Sequence, residues 1–302
     1  MSASVLFDTP GPKTRRRSLI LSIVALVIIA AGLAWVVLTL AAPRQSSGLT
    51  LPGFFDPSRW DIFMDADVWQ FIGKGVLGTL QAAAVAAVLA VAIGIVFATL
   101  RTSNSAWVRV PTTVVLEFFR GMPVLLLMLF ILLASSSGTY WAVVLGLGVY
   151  NGAIIGEALR AGLASLPRGQ KEAGLSLGMT LLQTKTYIEF PQAFRQMLPV
   201  IVAQLVVLLK DTSLGYIVGY NELIRTTMNN LAAFYGSKYL FSLFLVTLVI
   251  YLAINLSLSA LARRLARRRS PGTLLPKDQI TPTASIAVSA TLNTNPENRT
   301  TE

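Results

Sequence analysis

The chain has no cysteine and no histidine, and few of its residues carry a charge. The two missing residue types exclude disulfide bonds, thiolate catalysis, zinc sites of the usual Cys/His kind and acid–base catalysis by histidine. Charged residues make up 13% of the 302 positions, whereas a soluble domain usually has roughly 25%. This deficit is too large for a surface that faces water throughout, so lipid must cover much of the protein.

Hydrophobic residues make up 54% of the chain, and the net charge is +11. A basic chain of this kind could bind nucleic acid. Here, however, the basic residues cluster beside long apolar runs, as they do in the inner loops of membrane proteins. The charge pattern therefore favours a membrane protein over a nucleic-acid-binding protein.

Six apolar runs are each long enough to cross a bilayer, for which a helix needs about 20 residues. They cover residues 18–43, 75–100, 110–134, 140–163, 196–220 and 239–262. Helices are the structures in which such runs satisfy their own backbone hydrogen bonds in lipid. The sequence therefore predicts an all-α membrane protein with about six transmembrane helices.

Residues 1–17 end in a basic cluster, and residues 18–43 follow it without a charge. A signal peptide starts in the same way, but its apolar core is only about 7–15 residues long. We therefore interpret residues 18–43 as an extra transmembrane helix that is retained, with a cleaved signal peptide as the alternative.

Lysine and arginine are distributed unequally between the two sides of the predicted helices. With residues 1–17 in the cytoplasm, most basic residues fall inside, while the outer segment 44–74 contains four aspartates. The positive-inside rule demands this orientation. Aromatic residues in 51–71 suit a segment at the outer interface or an ordinary surface loop. Residues 263–302 are predicted to be cytoplasmic, first basic and then disordered.

The segment between the fourth and fifth runs, residues 165–195, is too long and too patterned for a simple connector. Pro167 suits the start of a helix, Gly178 its end, and Thr180 the cap of a second short helix. Pro191 is expected to close that second helix. The pattern predicts helix, glycine break and helix on the cytoplasmic face, with apolar side chains around the break that favour a binding partner.

This loop resembles the EAA motif of permease subunits from ATP-binding-cassette (ABC) importers. The matching residues are Glu172, Ala173, Gly174, Gly178, Ile188 and Pro191. Other segments resemble motifs of the permeases for polar amino acids. They are F-R-G-M-P at 119–123, the stretch 150–162 with its tyrosine, glutamate and arginine, G-Q-K-E-A at 169–173 and K-D-T-S-L at 210–214.

The resemblance extends over residues 75–262 and has two notable departures. Met122 stands where the family usually has threonine, and Gly174 where it usually has alanine. The second change removes a methyl group and some helix propensity, up to about 1 kcal/mol in an exposed position.

The resemblance implies a type I ABC importer core of five helices within residues 75–262, preceded by the extra N-terminal helix. It implies the permease subunit of an importer for polar amino acids in the bacterial cytoplasmic membrane. The long first helix and the long tail resemble glutamate-system permeases. The N- and C-termini would both be cytoplasmic.

The resemblance also implies which partners do the chemical work. The chain has no G-x-x-x-x-G-K-[ST] phosphate loop, so it is predicted to be no enzyme and to bind no cofactor or metal of its own. Separate ATPase subunits would use ATP and Mg and would dock on residues 172–190. A second permease subunit, identical or related, and an extracytoplasmic amino-acid-binding protein complete the implied assembly, which involves no nucleic acid.

Charged residues inside spanning segments are costly and are usually paired or functional. Lys210, Asp211 and Ser213 are candidates for the substrate path or a gate beside it. An internal ion pair between Lys210 and Asp211, or contacts with adjacent helices, is the alternative.

Two further carboxylates have an arginine three residues later, a spacing at which side chains meet on one helix face. Glu157, followed by Arg160, is the candidate for a residue near bound substrate. Glu117 and Arg120 are expected to form a structural pair at the membrane edge.

Other interpretations stay open at this point. A stand-alone secondary transporter or channel would need no ATPase, but the sequence shows no convincing repeat. An intramembrane enzyme would need paired carboxylates or a dyad such as Lys210 and Ser213. The spaced glycines Gly148, Gly152 and Gly156 indicate close helix packing, either inside one bundle or against a second subunit.

Overall fold

The structure, a computed structural model, describes residues 11–46 and 49–269. Five of its helical stretches are long and apolar enough to cross a membrane, and a bent pair of helices makes a sixth. The predicted all-α protein with about six spans is thus confirmed. The helices are α1 (Pro12–Ala41), α2 (Ala66–Arg101), α3 (Ala106–Gly121), α4 (Val124–Ser135), α5 (Gly138–Ala164), α6 (Arg168–Ser176), α7 (Leu181–Thr184), α8 (Phe190–Asp211), α9 (Gly215–Val218), α10 (Ala232–Tyr235) and α11 (Leu240–Arg269).

Both ends of the chain differ from the predicted boundaries. α1 begins at Pro12 rather than at residue 18, because proline is favoured in the first turn of a helix. Residues 263–269, predicted as the start of the tail, belong to α11. The predicted disordered tail from residue 270 onward lies outside the described residues.

From residue 18 onward, the additional helix α1 is apolar on all sides. Its side chains from residue 13 to residue 39 are all exposed. A helix of this character is stable when lipid surrounds it. The described part of the bundle packs around α2, α5 and α8, and α1 makes no extensive contact with these helices.

The segment between α1 and α2 is tied to the start of α11. Strands β1 (Arg44–Ser46) and β2 (Leu49–Leu51) pair antiparallel, and two 3₁₀ turns follow. The buried Arg59 guanidinium donates hydrogen bonds to the carbonyl oxygens of Lys238 at 2.8 Å and Pro52 at 3.0 Å. We call this end of the bundle the acidic end. Its aspartates are Asp56, Asp61, Asp65 and Asp67.

The helix of the second predicted span begins before residue 75, where its apolar run starts. α2 begins at Ala66. The Asp65 carboxylate accepts a hydrogen bond from the Asp67 N–H at 2.9 Å and so caps the helix. The charges of Asp67 and Lys74 hid this start, because they interrupt the apolar run although the helix continues through them.

The third apolar run does not form the single helix predicted for residues 110–134. α3 and α4 meet at an angle of 105°. Pro123 explains the break, because a proline disfavours the helical conformation of the residue before it. Met122 is accordingly extended, with φ −86° and ψ 132°. The pair α3–α4 is therefore a sharply bent unit of the kind found in broken spans and re-entrant loops.

Small residues allow α2 and α5 to pack closely. A Cβ atom added at Gly148 would lie 2.6 Å from Leu89 Cδ2, and one at Gly152 would lie 2.7 Å from Ile93 Cγ2. These distances are shorter than van der Waals contact, so side chains of α2 fill the space that the glycines leave. The glycine series thus packs inside one bundle, and a subunit interface at these two positions is excluded.

A buried polar contact joins α5 to α8. The Gln204 Nε2 atom donates to Asn151 Oδ1 at 2.8 Å, and Asn151 Nδ2 donates to the Leu147 carbonyl at 2.8 Å. Asn151 is completely buried. Because an unpaired polar group is costly within a membrane, this pairing holds the two helices in one register.

The loop after α5 follows the predicted order of helix, break and helix, but not the predicted end. α6 ends at Ser176, and Gly178 has a left-handed φ of 80°. The helical path that starts at Leu181 does not close at Pro191 and continues to Val218. A π-helical turn at Lys185–Glu189 precedes the proline. This wider turn carries the chain past Pro191, which lies in the first turn of α8.

A further helical segment between α9 and α11 was not predicted. It starts after Glu222, whose carboxylate accepts hydrogen bonds from the N–H groups of Ile224 at 2.9 Å and Arg225 at 2.7 Å. The Leu223 N–H donates to Thr79 Oγ1 of α2 at 3.0 Å. A π-helical turn (Arg225–Leu231) and α10 complete the segment.

Candidate functional site

α6, α7 and the π-helical turn after them form a compact unit, residues 168–189, which we call the elbow. A reciprocal capping box fixes its second arm. The Thr180 N–H donates to Gln183 Oε1 at 2.9 Å, and the Gln183 N–H donates to Thr180 Oγ1 at 3.3 Å. The left-handed turn at Gly178 and this cap together set the angle between the two arms.

The inner side of the elbow has no room for a side chain at Gly174. A Cβ atom there would lie 2.7 Å from Thr184 Cγ2, 2.9 Å from Thr184 Oγ1 and 3.0 Å from Ile188 Cδ1. Thr184 is completely buried. The departure from the usual alanine is therefore a packing feature of this chain, because Thr184 fills the space that a methyl group would take.

The outer side of the elbow is exposed and partly apolar. Leu177 beside the break is 81% exposed, and Tyr187 is 71% exposed. Glu172 and Ala173, the first two residues of the motif, are exposed on α6. Large exposed apolar side chains next to polar ones mark a surface for a protein partner.

Lys185 attaches the elbow to the end of α2. Its Nζ atom donates to the carbonyl oxygens of Thr102 at 2.9 Å and Thr99 at 3.4 Å. These carbonyls lie at the C-terminal end of a helix, where the partial negative charge favours a cation. Lys185 therefore ties the elbow to the end of α2.

An ion-pair network joins α2, α3 and α5 at the same end of the bundle, which we call the basic end. Arg101 contacts Glu157, and Arg160 Nη2 lies 2.7 Å from Glu157 Oε1. The Arg120 and Glu117 side chains pair at 3.1 Å, and Arg101 reaches Glu117 at 3.7 Å. Both arginine–glutamate pairs expected from their spacing are therefore formed, and Arg101 connects them.

Lys210 and Ser213 line a cavity of about 550 Å³ between α8, the π-helical turn at Arg225–Leu231 and α11. The wall is mostly apolar, with Thr247, Tyr251 and Asn255 adding polar groups. Lys210 is exposed and Asp211 is half-buried.

Lys210 and Asp211 form no ion pair with each other within 4.0 Å in the described structure. The alternative of an internal ion pair is therefore wrong for this conformation.

The predicted site residues fall into two separate places. Glu157 belongs to the ion-pair network at the basic end, whereas Lys210 and Ser213 face the cavity beside α11. Sequence reasoning missed Arg101, Thr184 and Lys185. The position of Arg101 at the end of an apolar run and the i, i+4 spacing of Thr184 and Ile188 were the available signals.

In the part of the chain that the structure describes, no three acidic side chains converge as metal ligands.

A membrane-spanning bundle that presents a firmly packed elbow to a partner is the architecture of a transport permease driven by another protein. Residues 90–271 match the family described as binding-protein-dependent transport system inner membrane component, and the chain belongs to this family.

Two relatives and one solved structure extend this assignment. The chain is 40% identical over 229 residues to the glutamate transport system permease protein GluD of Corynebacterium glutamicum, covering 73% of this chain and 83% of that protein. It is 32% identical over 215 residues to the glutamate/aspartate import permease protein GltK of Escherichia coli, covering 66% and 93%. A crystal structure of an amino acid ABC transporter superposes with a TM-score of 0.59 at 26% identity, covering 66% of this chain and 94% of that one.

The predicted ABC importer permease with a type I core is thereby confirmed. ATP hydrolysis in this class belongs to separate subunits, so the chain is a transport subunit and not itself an enzyme. The family match begins within α2, which leaves α1 outside it as the extra helix.

Proposed function

We propose that this chain is the permease subunit of an ABC importer that takes up glutamate or a closely related polar amino acid. Two relatives named for glutamate transport support the choice of substrate. The structural observation that carries the proposal is the elbow, because its inner joint is packed while its outer apolar side is exposed.

The ATPase subunit grips the outer side of the elbow in this proposal. Leu177 is the apolar anchor at the tip, with Glu172 and Ala173 beside it. The shape of the gripped surface depends on residues that do not touch the ATPase. These are Gly174, Gly178, Ile188 and Pro191. ATP and Mg bind to the ATPase, and this chain supplies the lever.

Movement of the elbow reaches the transmembrane helices along two routes. Lys185 carries it to α2 through the Thr102 carbonyl. Arg101, at the end of the same helix, passes it through Glu157 and Arg160 to α5. ATP binding thus supplies a differential preference between two arrangements of the bundle.

The cavity beside α11 is the proposed part of the substrate path. Lys210 places an ammonium group on an apolar wall, where it attracts a carboxylate more strongly than it does in bulk water. Ser213 adds a hydroxyl group, and Asp211 lies beside them as a gate residue.

The basic end faces the cytoplasm, as the positive-inside rule demands. The acidic end receives the amino acid from an extracytoplasmic binding protein. A second permease subunit, identical or related, completes the path across the membrane.

The experiment reconstitutes the chain with its ATPase and its binding protein in vesicles and measures ATP-dependent glutamate uptake. Aspartate, glutamine and arginine serve as competitors. L177D is expected to abolish co-purification of the ATPase and uptake together. M64D is the matched control for ATPase binding, because Met64 is 93% exposed at the acidic end, away from the elbow, and it is expected to retain the ATPase.

Normal ATPase binding and uptake in L177D would refute the docking role. Glutamate uptake that persists with an ATPase unable to hydrolyse ATP would instead support a secondary transporter.

A further inference from the structure

A cavity of about 630 Å³ lies at the basic end, and the proposed function assigns it no ligand. It opens between the C-terminal ends of α2 and α5, the turn from α2 to α3, and the elbow. The membrane-capable helices α2 and α5 end at Arg101 and Ala164. The cavity therefore lies beside the elbow at the basic end, which the positive-inside rule places at the cytoplasmic surface of the bilayer.

The charged lining of this cavity is predominantly positive. Its cationic groups are Arg101, Arg160, Lys171 and Lys185, and Glu189 is its carboxylate. Glu157 stands behind the two arginines and pairs with both. Four cations against these two carboxylates and Glu117, which Arg101 also reaches, still leave an excess of positive charge, which favours an anionic ligand.

The polar groups of the lining suit a ligand with several acceptor oxygens. Thr102, Ser103 and Asn104 form the turn after α2 and line the cavity. Hydroxyl and amide donors next to Arg and Lys are the groups that bind phosphate oxygens. The Lys171 side chain extends from α6 into the same space and has no ion pair within the described part of the chain.

The remaining lining is apolar, and this distinguishes a lipid from a soluble anion. The apolar residues are Leu100, Val108, Leu163, Ala164, Leu181 and Leu182. A free phosphate ion gains nothing from such a wall, whereas an acyl chain gains by burial against it. Basic pockets between transmembrane helices on the cytoplasmic side are suited to anionic lipid head groups.

We infer that this cavity binds the phosphate head group of an anionic phospholipid from the adjacent leaflet. The lipid touches α6 through Lys171, the second arm of the elbow through Lys185 and α5 through Arg160. It therefore holds the elbow against the bundle. The inference goes beyond the proposed function, on which it depends only for the leaflet that supplies the lipid.

Native mass spectrometry of the purified full-length chain tests the site. Phosphatidylglycerol is compared with phosphatidylcholine of the same acyl chains, and inorganic phosphate is added as a soluble competitor. The wild type is expected to retain phosphatidylglycerol in preference to phosphatidylcholine. K171Q, which leaves every described hydrogen bond in place, is expected to weaken this retention about fivefold, the effect of one basic residue at a membrane surface.

R109Q is the matched control, because Arg109 is an exposed cation close to the same end that does not line the cavity. It is expected to retain phosphatidylglycerol as the wild type does. Equal retention of the two lipids, or equal retention by K171Q and R109Q, would overturn the inference. Displacement of the lipid by millimolar phosphate would identify a soluble anion site. Displacement by added ATPase would identify an ATPase surface. Either result would overturn the inference of a lipid site.

Discussion

The Lys185 side chain reaches from the elbow to the carbonyl oxygen of Thr102, with 2.9 Å between its Nζ atom and that oxygen. This contact joins positions 83 residues apart in the chain. It connects the element proposed to meet the ATPase with the C-terminal end of α2. A cation that binds the carbonyls of a helix end is a strong link, because the hydrogen bonds are charge-assisted.

Removing this link should separate ATP hydrolysis from transport. K185M keeps the length of the side chain and loses its hydrogen bonds to the end of α2. Because hydrogen bonds to charged groups contribute about 1.5–3 kcal/mol, uptake per ATP hydrolysed is expected to fall about tenfold or more. Uptake and hydrolysis are measured together in vesicles that contain the complete importer.

Two variants control this experiment. K185R restores a cation and is expected to recover most of the coupling. K74M changes an exposed lysine near the other end of α2 and is expected to behave as the wild type. An unchanged ratio of uptake to hydrolysis in K185M would show that the elbow drives α2 by another route.

The packing at Gly174 makes a second prediction. G174A restores the residue that is usual in the family, yet it places a Cβ atom 2.7 Å from Thr184 Cγ2. Overpacking of this kind costs about 1–3 kcal/mol, so the thermal midpoint and the binding of the ATPase are both expected to decrease. T184A removes the two nearest crowding atoms and leaves Ile188 Cδ1 at 3.0 Å, so the double variant G174A/T184A is expected to recover most of the loss.

The matched control for Gly174 lies on the same helix. A Cβ atom at Gly169 has no neighbour within 4 Å. G169A is therefore expected to leave the midpoint unchanged or to raise it slightly, because alanine favours helix. If G174A were as stable as G169A, the inner joint of the elbow would have to be looser than the structure shows.

The interlocking of α2 and α5 makes a third prediction. G152A places a methyl group against Ile93, where 2.7 Å separates the added Cβ from Cγ2. This is expected to destabilise the protein by about 1–3 kcal/mol, measured as a lower midpoint in a thermal unfolding assay in detergent. G73A on α2 is the control, because nothing lies within 4 Å of its Cβ position. Equal midpoints for the two variants would contradict close packing of α5 on α2.

The local features of this structure could be predicted from the sequence. In lipid, a long apolar run satisfies its backbone hydrogen bonds by forming a helix, so the spans could be predicted from composition alone. The turn at Gly178 and the cap at Thr180 could also be predicted, because each depends only on residues close to it in the sequence. Hydropathy does not report the direction of a helix axis, however, so the bend at Pro123 within an apolar run was missed.

The contacts that shape the site are long-range, and their partners are not evident from spacing. Lys185 meets the end of α2 only because the elbow folds back under the bundle, and Thr184 meets Gly174 across the break. Pro191 was misread because a π-helical turn before it removes its usual effect on a helix. The separation of Lys210 from Asp211 depends on which helix faces they occupy, and this is fixed by packing.

The buried Glu222 makes the last prediction, which concerns pH. It lies between two spans, outside the membrane-spanning segments. Burial raises the pKa of Glu222 from 4.5 to about 7, although the N–H groups of Ile224 and Arg225 favour its charged form. The folded protein therefore binds a proton more tightly than the unfolded chain does. Stability from this group is present below the unfolded pKa and is lost as the pH rises through the folded pKa.

The wild type is therefore expected to be more stable near pH 5 than near pH 8, by up to about 3 kcal/mol from this group. E222Q keeps a side-chain oxygen for the helix cap but cannot ionise, so its thermal midpoint should vary less over this range. D56N is the control, because the Asp56 carboxylate is exposed and its hydrogen bond to Ser58 lowers its pKa, which places its titration below pH 5. A pH dependence in E222Q as steep as that of the wild type would mean that Glu222 stays ionised in the folded protein, held in that form by the two N–H groups that it caps.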